Sequence, residues 1–85
     1  MPDANHHPLV QYEEVRVRKI LFPGENYDGW MLNQRKPAVG DTGVLIDILE
    51  MPGLPPRYVV ESSDADGITI FLSEFDSEEI EPITS

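Results

Sequence analysis

Apolar positions come in short bursts along this chain, and each burst is soon cut off by proline, glycine or a run of charge. From Val15 to Leu21, Val15 and Val17 alternate with Arg16 and Arg18, the period of a strand with one face buried and the other wet. Gly43 to Glu50 contains Val44-Leu45-Ile46-Asp47-Ile48-Leu49, which strict alternation divides into Val44, Ile46 and Ile48 on one face and Leu45, Asp47 and Leu49 on the other. Such a nearly continuous apolar run predicts the central strand, covered on much of both faces. Arg57 to Ser62 and Ile68 to Ser73 flank Ser63-Asp64-Ala65-Asp66-Gly67, where Gly accepts positive φ and Asp bonds its own backbone, so the two should form an antiparallel hairpin. A last strand, Ile80 to Ile83, carries Pro82, the mark of a sheet edge or a strand end. Ser77-Glu78-Glu79 before it is long enough for one 3₁₀ turn.

Eight prolines and six glycines in 85 residues leave no segment suited to a helical domain, because Pro removes a donor and Gly raises the entropy cost of ordering. Short strands tolerate such punctuation. Five of them, with one long loop, one medium loop and one tight hairpin, predict an all-β fold: a small, strongly bent five-stranded barrel rather than a many-stranded sandwich. The expected organisation is a flexible N-terminal tail over 1–12 and a single domain over 13–85. With no cysteine the core must hold without disulfides, which suits a reducing compartment. No secretory leader or membrane-length apolar run is read in the sequence, so the expected location is cytoplasmic.

Val39-Gly40-Asp41-Thr42-Gly43-Val44-Leu45-Ile46 resembles the opening of SH3-like barrels of the KOW kind, in which a G-D-x-G turn feeds the second strand. It also resembles a group of small uncharacterised bacterial domains that pair this turn with a "Y-x-V-E … D-G-x-x" hairpin. Here Tyr58-Val59-Val60-Glu61 and Asp66-Gly67-Ile68-Thr69 fill that hairpin, and Glu81-Pro82-Ile83 resembles the closing strand. The resemblance covers about Val15 to Ile83 and implies an SH3-like barrel whose first loop lies beside a peptide-binding groove. Read physically, Gly40 and Gly43 permit positive φ on either side of Asp41 and Thr42, whose side chains can bond nearby amides.

Charge changes the picture of partners. Asp and Glu number 16 against 6 Lys and Arg, a formal charge of −10. Residues 1–40 balance five cations (Arg16, Arg18, Lys19, Arg35, Lys36) against five acids; the excess lies wholly in residues 41–85, where Arg57 is the one cation. A field of that sign repels a phosphate backbone and an anionic membrane, and it steers a cationic protein toward the chain.

Two regions are candidate contact surfaces. The loop from Phe22 to Gly40 is longer than a compact domain tolerates without a task or an element of its own. Its Tyr27 and Trp30 could serve as rigid aromatic anchors for a partner, or could fold back with Met31 and Leu32 to plug the barrel. The acidic set Glu74, Asp76, Glu78, Glu79 and Glu81 could imitate a phosphate track and block a basic cleft, or could simply keep a small domain soluble and guard a sheet edge.

Catalysis and cofactors find no foothold in the sequence. There is no thiol, no His beyond the adjacent His6 and His7, and no G-x-S-x-G elbow. Asp64-Ala65-Asp66-Gly67 resembles part of a calcium loop, but Ser73 stands where the bidentate Glu is needed. The expected function is therefore non-catalytic and cofactor-free: a module that binds another protein, in its sharpest form an antitoxin or immunity protein that inhibits a basic partner. The alternative is a nucleic-acid-associated KOW-like module of translation or transcription, with Arg16, Arg18 and Lys19 as a local basic patch.

Overall fold

Val15 and Val17 face the core of the computed structural model while Glu14 and Arg16 face water, so the first alternation is realised as β1, Glu14–Val17. The structure describes residues 8–83. It adds β2 (Thr42–Leu49), β3 (Arg57–Ser63), β4 (Thr69–Phe75) and β5 (Ile80–Pro82). All pair antiparallel in one sheet of order β4-β3-β2-β1-β5, with β2 at its centre. The sheet is not closed, because β4 and β5 do not pair with each other. No helix among the described residues is long and apolar enough to cross a membrane.

β1 stops at Val17 instead of running on to Leu21. The next two amides, of Arg18 and Lys19, donate to the main-chain carbonyl of Glu79 (2.7 and 3.3 Å), which turns the chain out of the ladder. In β2 the strict alternation fails at Ile46. Leu45 pairs with Val60 and Asp47 with Val59, so Ile46 is the extra residue of a β-bulge. The bulge resets the phase, and Leu45 and Ile48, expected on opposite faces, both pack into the core. Gln11 donates its side-chain amide to the carbonyl of Ile46 (2.8 Å).

The β3–β4 hairpin forms as the sequence requires. The Asp64 carboxylate accepts the amides of Asp66 (2.9 Å) and Ile68 (3.0 Å), and Gly67 takes φ +81. Gly40 likewise adopts positive φ (+97), and Asp41 accepts the Ala38 amide (2.8 Å) and a bidentate Arg35 (2.7 and 3.0 Å). Gly43 serves another purpose. A Cβ there would lie 2.6 Å from the Glu61 carbonyl oxygen, so glycine is needed for the close approach of β2 to β3 and not for its φ.

The core comprises Val15, Val17, Tyr27, Leu45, Val60, Phe71, Phe75 and Ile80, with Leu9, Ile20, Ile48, Tyr58 and Ile70 packed against it. Leu9 belongs to the segment expected to be a tail, and the Tyr12 amide in the same segment donates to the Leu45 carbonyl. The 3₁₀ helix lies in the long β1–β2 loop, at Gly24–Tyr27, and not before β5. The segment before β5 is a single hydrogen-bonded turn, with the Glu79 amide donating to the Asp76 carbonyl (3.0 Å).

Candidate functional site

The long loop is fastened in two places. Its distal part lies along the outer edge of β4: the Gln34 amide donates to the Ile70 carbonyl (2.8 Å), and Asn33 Oδ1 accepts the Leu72 amide (2.9 Å). Asn33 Nδ2 donates to the Tyr27 carbonyl (2.9 Å), which also accepts Ser73 Oγ (2.6 Å). Its proximal part is held by Glu79. Carboxylate oxygen Oε2 accepts the Tyr27 hydroxyl and the Leu21 amide (3.2 Å), while Oε1 accepts the Asp76 amide (2.9 Å). The Tyr27 oxygen in turn accepts the Phe22 amide (3.1 Å). The ion pairs among the described residues involve Arg16, Lys19, Arg35 and Arg57, and none of them reaches Glu79. Its buried carboxyl group is therefore satisfied by these three donors, the Leu21 and Asp76 amides and the Tyr27 hydroxyl. Burial, and next the hydrogen bond to Glu79, raise the Tyr27 phenol above its ordinary pKa and keep it a donor.

Two expectations are corrected by these contacts. Tyr27 is not a surface anchor: it is 1 % exposed, its ring 5.4 Å from that of Phe75. Glu79 is not part of an acidic surface, for it is fully buried. The remaining positions are accessible. Trp30 is 42 % exposed and stands with exposed Met31 and Leu32 at a tip closed by the Met31 amide on the Asp28 carbonyl (3.1 Å). Glu74 and Asp76 are half-buried and Glu78 is exposed. The proposed basic strand is locally offset, with Arg16 and Lys19 each 4.0 Å from a carboxylate, of Glu81 and Glu78 respectively. His6 and His7 lie outside the described residues. Among those residues, no three His, Cys, Asp or Glu come together as metal ligands.

The structure brings together a set that sequence reasoning missed. Arg57, at the start of β3, lines two adjoining hollows. One, of about 390 Å³, is formed with Phe22, Asn26 and Tyr27 of the long loop. The other, of about 220 Å³, is formed with Leu49, Met51, Leu54, Pro55 and Asp76. The guanidinium lies 5.8 Å over the Phe22 ring, and its Nε is 3.7 Å from a Glu74 carboxylate oxygen. Met51 and Leu54 are about 60 % exposed because Pro52-Gly53 turns the chain tightly there, with Gly53 at φ +78 and the Leu54 amide on the Met51 carbonyl (3.2 Å). Two signals in the sequence bear on this groove: Arg57 is the lone cation of the acidic half, and apolar residues fill a β2–β3 connection where polar ones are usual.

Chemically, the groove sets apolar and charged groups side by side. An apolar floor offers area to an inserted side chain, Arg57 is partly offset by Glu74, and Asp76 adds a carboxylate at the margin. The two buried hydroxyl and carboxylate groups nearest to it, Tyr27 and Glu79, are spent on each other and on backbone amides. Compared with protein-family models, with curated proteins and with solved structures, the chain finds no match.

Proposed function

We propose that this chain is a non-catalytic, cytoplasmic SH3-like barrel of KOW-like character that binds another protein through the groove across Arg57. The reading is supported by the meander β2–β3–β4, by the return of β5 to the side of β1, and by the long loop lying against β4. The observation that carries the function is the meeting, in one groove, of exposed apolar side chains with the carboxylate of Asp76 on a chain of net charge −10. The occupant that fits is a positively charged segment of a partner, one apolar side chain seated among Leu49, Met51, Leu54 and Pro55 and a cation facing Asp76. Such a partner associates quickly and in a salt-sensitive way, as an inhibitor of the antitoxin or immunity kind would with a basic target.

Affinity capture from the native lysate with mass-spectrometric identification tests this, using wild type, Met51→Glu with Leu54→Glu, and Glu74→Lys with Asp76→Lys. The expected result is one high-pI protein held by wild type, released by rising salt, and lost from both variants. Recovery of the same protein by all three baits would overturn the groove assignment. Recovery that depends on intact nucleic acid would favour the translation or transcription module instead.

A further inference from the structure

Arg57 is the common wall of two unlike hollows, and its hydrogen-bonding capacity is only partly used. A guanidinium carries several N–H donors in one rigid plane. Here Nε stands 3.7 Å from a Glu74 carboxylate oxygen and Nη2 lies 3.5 Å from the Glu74 carbonyl, both long for a charge-assisted bond, and among the described residues Nη1 has no partner. The Phe22 ring backs the group at 5.8 Å. The larger hollow adds a second unused group: Asn26 gives its main-chain amide to the Pro23 carbonyl (3.0 Å), while among the described residues its carboxamide bonds nothing. One hollow is thus supplied with donors and the other with the apolar side chains of Leu49, Met51, Leu54 and Pro55.

We propose that the groove takes the C-terminal end of a partner chain, its last side chain in the smaller hollow, its terminal carboxylate on Arg57 and Asn26 in the larger, and a preceding Lys or Arg facing Asp76. This rests on the groove reading and names the part of the partner that enters.

Adjacency favours a chain end. Two hollows that share one wall call for an apolar side chain and an anionic acceptor close together, and in a terminal residue both spring from one Cα. Inside an extended segment the neighbouring side chain points to the opposite face, and the next on the same face lies about 7 Å further on. The carbonyls such a segment offers are neutral and satisfy a guanidinium less well than a carboxylate does. Charge points the same way. Asp76 lines the apolar hollow, and the ion pair that Arg57 makes among the described residues is with Glu74, so the occupant meets one further anion and one partly free cation. A chain end with a basic residue before it carries the matching pair.

Arrays of random decapeptides, displayed once with free carboxyl ends and once with carboxamide ends, test this. Wild type should select free acids that end in an apolar residue with Lys or Arg before it, and should bind the amide of each selected peptide about tenfold more weakly or worse. Arg57→Gln should erase most of that difference, and Glu74→Gln, which removes the internal competitor, should tighten the acids alone. Asn26→Asp, a change at an exposed residue, should weaken the acids alone, and it decides the matter if Arg57→Gln does not fold. Equal binding of acids and amides by wild type, or an acid preference unchanged by Arg57→Gln or by Asn26→Asp, would overturn the proposal. If amide-ended peptides are then held by wild type and lost from Met51→Glu with Leu54→Glu, the groove reading stands and only the chain end is withdrawn; if neither array yields a binder that this variant loses, both fall.

Discussion

The β2–β3–β4 meander and the long β1–β2 loop are held by opposite means. The meander is fixed by ladders and apolar packing, with Leu45, Val60, Phe71 and Phe75 buried together and the Phe71 and Phe75 rings edge-to-face at 6.2 Å. The loop, though it contributes Tyr27 to that core, is fixed chiefly by directed polar contacts to Glu79, Asn33, Ser73 and Asp41. Apolar packing is forgiving of small shifts, whereas a buried donor left without its acceptor loses its whole compensation. The meander should therefore fail globally, the loop locally.

The most severe test of that contrast is Phe75→Ala. It removes the ring that both Phe71 and Tyr27 pack against and should cost about 3–5 kcal/mol, enough to abolish a cooperative urea transition in a domain this small. Asn33→Ala should cost less, about 2 kcal/mol, since it orphans the Leu72 amide while Ser73 still serves the Tyr27 carbonyl. Its exchange signature should be confined to the distal loop and β4; a global effect would erase the distinction between the two regions.

Smaller effects come from pH. Tyr27 has a folded-state pKa above its ordinary 10.0, first from burial and then from Glu79. The folded state holds that proton more tightly, so the contribution is complete below pH 10 and is lost as pH rises through the folded value. Denaturation between neutrality and strong alkali should reveal a late loss of stability that Tyr27→Phe removes. Asp41 behaves in the opposite sense. Its carboxyl is lowered from 3.8 chiefly by Arg35, so its contribution is present above that value and fades as acid titrates it through the lower folded one. The pair is open to solvent, so the Arg35→Ala variant should lose at most about 1 kcal/mol at neutral pH and less in high salt.

The same contrast decides how much was legible in the sequence. The β3–β4 hairpin could be read because Asp64 and Gly67 carry their turn within a few residues. The central position of β2 could be read from its apolar density, but not its phase, since the bulge at Ile46 is defined only against β3. Glu79 looked like its neighbours Glu78 and Glu81. Nothing local distinguishes a carboxylate whose donors, Leu21 and Tyr27, arrive from more than 50 positions away. The groove was hidden for a related reason: Phe22, Met51 and Arg57 meet only after the sheet has formed.

Asn33 and Gln34, by occupying the free side of β4, also determine how this molecule can meet others of its kind. With the Leu72 amide and the Thr69 and Ile70 carbonyls taken, this strand is a poorer template for a second chain to stack on, and the opposite margin is a three-residue strand ending in Pro82. Cross-β growth is thereby disfavoured at both margins, and crowding should leave the protein dispersed even where its apolar turn at Met51 to Pro55 stays bare to solvent.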